Sequence, residues 1–152
     1  MEVKDIIKEA VTISDSASFK EAISLMVEKQ TNSLLVINNE GELVGEINIS
    51  DILDAIVPEY LDGDSIAAHF ASSEMFEEAV KDATELQVRL FMSKDIMPVQ
   101  ESDGLMSIAS NAISKRKAHI PVVDAENKPV GIISRRGIKH IIADALNIPD
   151  SN

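Results

Sequence analysis

Two tight groups of cations stand out in the second half of the chain: Lys115-Arg116-Lys117 with His119, and Arg135-Arg136 with Lys139 and His140. Guanidinium and ammonium groups gathered this way are natural receptors for anions. The rest of the chain is acidic. Residues 1–91 carry 6 Lys/Arg against 19 Asp/Glu, whereas residues 92–152 carry 8 against 7, within a net charge of −12. Local basic groups on an acidic body suit a small anion better than a polymeric one; ordinary solvated surface is the bland alternative. His140 and Asp144 are spaced i, i+4, which resembles half of a metal site, but one such pair fits helix-surface stabilisation better. There is no nucleophile with an adjacent base and orienting group, no glycine-rich phosphate loop and no metal-ligand cluster, so the sequence points away from an enzyme.

The elements that hold these groups come from a repeat. Leu34-Leu35-Val36-Ile37-Asn38, a polar turn and Leu43-Val44-Gly45-Glu46-Ile47-Asn48 return as Ile120-Pro121-Val122-Val123-Asp124, a turn and Pro129-Val130-Gly131-Ile132-Ile133-Ser134. Leu34 and Ile120, like Gly45 and Gly131, are 86 positions apart. A fixed offset marks a repeated structural unit, and places function in a pseudo-symmetric cleft between the copies. Upstream, Phe19, Ala22, Ile23 and Met26 match Leu105, Ile108, Ala109 and Ala112, one apolar face of an amphipathic helix in each copy. Ser14, Asp15 and Ser16 precede the first helix, and Ser102 and Asp103 the second, as N-cap candidates. Downstream, Ile52, Leu53, Ala55 and Ile56 match Ile138, Ile141 and Ile142 on a closing helix. Further upstream, Lys4-Asp5-Ile6-Ile7 resembles Lys94-Asp95-Ile96-Met97 at an offset of 90, which makes the second copy four residues shorter there.

Each copy therefore reads as strand, helix, strand, tight turn, strand, helix. The turns, Asn38-Asn39-Glu40-Gly41 and Asp124-Ala125-Glu126-Asn127, are so short that their flanking strands must pair antiparallel. The predicted fold is α+β, with two pseudo-symmetric β-α-β-β-α repeats over residues 1–57 and 92–148 that share a core because each alone is marginal. Residues 58–91 form a helical insertion. Pro58 ends the preceding helix, Tyr60-Leu61-Asp62-Gly63-Asp64 reads as a loop, and Phe76, Ala79, Val80, Ala83, Leu86 and Leu90 make a helical stripe with Glu74 and Glu77 in its first turn. That stripe fits a helix capping a core edge, or a contact surface for a second subunit. His69 has no identifiable partner.

Composition narrows the class. Hydrophobic content of 45% supports a core, while 3% aromatics without Trp argue against a nucleic-acid stacking platform. The negative charge argues against DNA binding. No apolar run approaches the ~18 residues of a membrane span, no signal pattern opens the chain, and Cys is absent. A cytoplasmic protein is expected.

The ordered motifs resemble a tandem pair of CBS (cystathionine β-synthase) domains over nearly the whole chain. The second copy offers Asp95-Ile96-Met97, Ile120-Pro121-Val122-Val123-Asp124 and Gly131-Ile132-Ile133-Ser134. The first offers Asp5-Ile6-Ile7, Leu34-Leu35-Val36-Ile37-Asn38 and Gly45-Glu46-Ile47-Asn48-Ile49-Ser50-Asp51. The resemblance implies a regulatory module, usually a homodimer, that requires no cofactor. It implies binding of an adenosine compound (AMP, ADP, ATP or S-adenosylmethionine) between paired repeats and a response passed to an effector protein.

The family pattern implies nucleotide contacts from Asn48 and Asp51 in the first copy, and from His119, Pro121, Ile132, Ser134, Arg135 and Arg136 in the second. A carboxylate accepts from ribose hydroxyls, an apolar residue after the glycine lines adenine, and cations with a helix N-terminus take phosphate. The chain departs from the pattern in each half. Asn48 replaces Ser/Thr and Glu46 an apolar neighbour of adenine, while Gly137 replaces the second carboxylate, leaving Arg135 and Arg136 beside it to hold extra phosphate. Asp51 also fits as an acid opening the helix over 52–57, Ser134 as a helix cap, and His119 as an exposed or capping histidine. A degenerate module kept for dimerisation or partner docking is the alternative function.

Overall fold

The computed structural model describes residues 1–57, 73–115 and 119–150. Pro58, the loop over 60–64, His69, Arg116 and Lys117 lie outside them. Its elements are β1 (Ile7–Lys8), β2 (Thr12–Ser14), α1 (Phe19–Lys29), β3 (Ser33–Ile37), β4 (Leu43–Asn48) and α2 (Ile49–Ile56). There follow α3 (Ser73–Ala83), β5 (Val99–Gln100), α4 (Leu105–Lys115), β6 (His119–Val123), β7 (Pro129–Ser134) and α5 (Arg135–Ala145). Single 3-10 turns occupy Val3–Ile6 and Val88–Leu90. The fold is α+β. The chain divides into two compact units: one of residues 1–10, 40–43 and 95–152, the other of residues 11–39 and 44–94.

The unit of residues 11–39 and 44–94 carries the sheet β2-β3-β4, with β2 and β3 parallel and Ile13 facing Val36. Its core gathers Phe19, Ala22, Met26, Leu34, Val36, Ile47, Ile52 and Ile56, all predicted apolar positions of sheet and helices, together with Ile13 of β2. Ser18, not Ser14, Asp15 or Ser16, caps α1: its hydroxyl accepts from the Glu21 N–H at 3.1 Å, and the Glu21 carboxylate accepts from the Ser18 N–H at 3.3 Å. Ser14 is held in β2 by pairing with Ile37, so the cap falls one turn later.

The insertion helix joins this core at one end only. Ala83 is buried and Ala79, Val80 and Leu86 pack against the cluster, but Phe76 is 55% and Leu90 68% exposed. Leu90 leaves the stripe because it sits in the second 3-10 turn. Backbone bonds tie the segment down: the N–H groups of Phe19 and Lys20 donate to the carbonyls of Leu86 (2.8 Å) and Thr84 (3.2 Å), and those of Val88 and Arg89 to Ala17 (2.8 Å) and Asp15 (2.9 Å). The insertion thus takes up donors that a helix start leaves without intrahelical partners.

The other unit carries the sheet β1-β7-β6-β5. The hairpin strands β6 and β7 are antiparallel, as their short turn requires, and β5 lies parallel to β6. Val3, Ile6, Val99, Ile108, Ile120, Val122 and Ile133 form its core. Its edge strand is unexpected. β1, from the start of the chain, pairs antiparallel with β7, placing Ile7 opposite Ile133 and Lys8 opposite Ile132. Reciprocally, Ser93 pairs with Glu46 of β4 through bonds of 2.8 and 3.0 Å. The copies have exchanged their leading segments.

This exchange explains the repeated glycines. A Cβ on Gly131 would lie 2.5 Å from both the Lys8 carbonyl oxygen and Ile7 Cγ2. One on Gly45 would lie 2.9 Å from the Ser93 carbonyl oxygen and 2.7 Å from Met92 Sδ. Only hydrogen fits beneath an adjoining backbone at this distance. The same contacts correct the alignment of the leading motifs. Ile7 and Lys8 have Met92 and Ser93 as counterparts, and Val3–Ile6 has Val88–Leu90, so Lys94-Asp95-Ile96-Met97 lies beyond the true second motif. The apparent shortening by four residues disappears with it.

Candidate functional site

Alternation along the strands sorts the candidate residues by face. Ile120, Val122 and Ile133 point into the core of their unit. The intervening residues therefore share the opposite face, and the register aligns them: His119 is opposite Ser134, and Pro121 opposite Ile132. Pro121 is buried, and His119, Ile132 and Ser134 are half-buried. β7 runs directly into α5, so Arg135 and Arg136, both exposed, occupy its first two positions. The fold thus brings six of the eight predicted residues to one sheet face and the helix N-terminus beside it. That end offers backbone N–H groups and a partial positive charge to an anion.

Ser134 is also the N-cap of α5, its hydroxyl accepting from the Gly137 N–H at 3.1 Å. Ser134→Ala is expected to lower stability by about 1 kcal/mol, read as a lower urea midpoint with an unchanged slope. An unchanged midpoint would remove the capping role. Gly137 cannot return the bond from a side chain, and the space beside it is tight. A Cβ there would lie 3.1 Å from Ile6 Cβ, because the exchanged leading segment runs against α5. A carboxylate side chain at 137 would have to displace Ile6 by a few tenths of an ångström.

The first copy arranges the equivalent junction differently. Asn48 is the N-cap of α2, and α2 begins at Ile49 rather than at residue 52, which makes Asp51 the third helical residue and not the cap itself. Asn48 Oδ1 accepts from the Asp51 N–H at 3.1 Å, and Asp51 Oδ2 accepts from the Asn48 N–H at 2.9 Å, a reciprocal capping box. Asn48 and Asp51 are half-buried; Glu46, at the position matching Ile132, is buried.

Lys8 is the residue that sequence reasoning missed. Its register opposite Ile132 assigns it to the face of Pro121 and His119. Nothing local to Lys8 signals this, because the pairing joins opposite ends of the chain. The expected His140–Asp144 pair is not what the structure forms. His140 Nδ1 lies 3.4 Å from Asp150 Oδ2, and Asp144 lies 3.7 Å from the amino group of Met1. No group of three or more His, Cys, Asp or Glu residues suited to a metal ion occurs among the described residues. No helix among them is long and apolar enough to cross a membrane.

A family model of the CBS domain matches residues 3–58 and 83–144. The chain belongs to the CBS domain family. Its second match starts upstream of Val88, in keeping with the corrected position of the second leading motif. Among curated relatives, this CBS protein is 27% identical over 146 residues to the uncharacterized protein MJ1426 of Methanocaldococcus jannaschii, covering 89% of this chain and 87% of that one. It is 28% identical over 137 residues to inosine-5'-monophosphate dehydrogenase of the same organism, covering 88% of this chain but 22% of the enzyme. Among solved structures, CBSX2 of Arabidopsis thaliana in complex with AMP superposes with a TM-score of 0.68 at 23% identity, covering 95% of this chain and 98% of that one. That likeness bears on the fold.

Proposed function

We propose that this CBS pair is a non-catalytic cytoplasmic regulatory module that binds an adenine nucleotide. Occupancy of the site biases an effector protein through a change in which conformation of the module is favoured. The single observation that carries the reading is the register of β6 and β7. It aligns His119 with Ser134 and Pro121 with Ile132 beside the N-terminus of α5, where Arg135 and Arg136 stand. In this reading Pro121 and Ile132 flank the base, while His119, Arg135, Arg136 and the helix N-terminus receive phosphate. The AMP bound to CBSX2 supports the ligand class.

Asn48 and Asp51 are the proposed ribose contacts of the first copy. A capping carboxylate oxygen retains lone-pair capacity for a hydroxyl donor, so cap and ligand roles are compatible. Glu46 disfavours phosphate on its own face by like-charge repulsion. The module is proposed to act as a homodimer and to need no bound cofactor for its fold.

Titration calorimetry of nucleotide-stripped protein with AMP, ADP, ATP and S-adenosylmethionine tests the proposal. Saturable binding is expected. Arg136→Ala should weaken ADP and ATP by roughly tenfold and AMP less, as for loss of one charge-assisted contact of about 1.5 kcal/mol. Asp51→Ala should weaken all ribose-bearing ligands. No heat and no change in melting temperature with any ligand would overturn the nucleotide reading and favour a docking module. Equal affinities across the variants would overturn the residue assignment.

A further inference from the structure

One cation on the candidate face has no part in the phosphate contacts. Lys8 lies opposite Ile132, and Ile132 opposite Pro121, so the three form one row across β1, β7 and β6. The next row toward the start of α5 holds Ser134 and His119. Side chains in register on one face of adjoining strands are direct neighbours, the strands being about 4.8 Å apart. Lys8 therefore shares its row with the residues that flank the base and stands one row away from those that receive phosphate.

Its backbone is fixed and its ammonium is not. β1 is an edge strand, and the Lys8 carbonyl sits against Gly131, where a Cβ would come within 2.5 Å of its oxygen. The side chain is exposed. Lys4, Arg89 and Lys128 lie 3.3, 3.8 and 3.4 Å from the carboxylates of Glu2, Asp15 and Glu126. Among the described residues no hydrogen bond or ion pair holds the Lys8 ammonium, although residues 1–91 carry 19 Asp/Glu against 6 Lys/Arg. Its four-carbon stem and three N–H donors are free to meet a ligand. The repeat itself does not demand a lysine here: the counterpart in the first copy is Ser93, paired with Glu46.

An ammonium beside a purine can only donate. The 6-oxo edge presents two acceptors, O6 and N7. The 6-amino edge presents one acceptor and an N–H donor, which would face the ammonium unfavourably. Lysine accordingly pairs with the first edge, and Gln or Asn with the second. We propose that Lys8 reads the base: the face takes 6-oxopurine nucleotides, in preference to 6-aminopurine ones, by donation from the Lys8 ammonium to O6 and N7. This rests on the nucleotide reading above and narrows it. AMP still binds, through Pro121, Ile132 and the phosphate contacts it shares with IMP, and Lys8 sets the order of the two.

Titration calorimetry with IMP and AMP, which differ only in the 6-oxo and 6-amino edge, tests it on nucleotide-stripped wild type, Lys8→Met and Lys8→Gln. Wild type is expected to bind IMP roughly tenfold tighter than AMP. Lys8→Met, unbranched like lysine but uncharged, should bring the two affinities within about twofold, mainly by weakening IMP. Lys8→Gln should favour AMP. The position is exposed, so melting temperatures should stay near wild type. The ratio of the two affinities is the readout, because damage to the sheet would weaken both nucleotides alike. An IMP-to-AMP ratio unchanged by Lys8→Met would overturn the base reading and leave nucleotide binding in place. Equal weakening of both by Lys8→Met, with a larger loss for ITP and ATP than for the monophosphates, would assign the ammonium to phosphate and overturn it as well. A wild type that binds neither nucleotide would overturn the nucleotide reading and this inference together.

Discussion

Gly131→Ala is expected to destabilise the protein by about 3 kcal/mol and to lower its melting temperature by roughly 6–12 °C. The added methyl carbon would lie 2.5 Å from a backbone oxygen of Lys8 and 2.5 Å from Ile7 Cγ2. The side chain can turn aside, but the carbonyl cannot move without breaking the β1–β7 ladder. Loss of β1 would uncover Ile133, a core residue with no exposed surface that faces Ile7 across that ladder. Gly45→Ala should act in the same sense and more weakly, since one of its two close neighbours is the flexible end of Met92. Gly104→Ala, with nothing within 4 Å, is the matched control. Calorimetric melting of the three variants measures the effect. A Gly131→Ala protein that melts with wild type would mean that β1 does not hold its place on β7.

Phe19→Ala should cost still more, about 3–5 kcal/mol, the range for removing a buried aromatic. Phe19 is 4% exposed, begins α1, and lies with its ring centroid 5.7 Å from that of Phe91. Its N–H donates to Leu86, so backbone and side chain both engage the segment leading out of the insertion. Urea unfolding gives the magnitude, and hydrogen exchange its location. Faster exchange is expected at the amides of Phe19, Lys20 and Val88, the last of which donates to Ala17. A loss below about 1 kcal/mol would show that the insertion only lies over this core and is no part of it.

Those two residues also mark where sequence reading succeeds and where it stops. The hairpin strands, the apolar faces of the helices and the capping role of Ser134 were legible because each follows from local periodicity and capping chemistry; the cap at Asn48 was not, since the acid Asp51 is the stronger local signal for a helix start. His119, Pro121, Ile132 and Ser134 came from the family pattern; their shared face depends on the β6–β7 register, which shifts between Val122 and Val123 and so could not be counted out from the turn. The exchange was not legible either. Two similar copies present the same strand edge and the same glycine, so pairing within a copy and pairing between copies satisfy one pattern equally. Matching Asp95-Ile96-Met97 to Asp5-Ile6-Ile7 by residue identity then hid the true counterpart, Leu90-Phe91-Met92, whose place in the repeat is shown only by what it touches: Met92 against Gly45. Lys8 was missed for the same reason, as was the close approach of Ile6 to Gly137.

The pairing of β1 with β7 also sets the order in which the chain can assemble during synthesis. Ile7 emerges first but meets Ile133 only after another 126 residues have been made. Until then the leading strand has no edge to join and the core around Ile6 stays open. The unit of residues 11–39 and 44–94 is complete once Ser93 is available, so it can close first. The unit that carries the basic face closes last, by a contact between distant points of the chain, which is the slow kind. A chain held after Ser93 has left the ribosome but before Ile133 has would therefore present one finished half and one idle strand, the species most exposed to mispairing with a neighbouring chain.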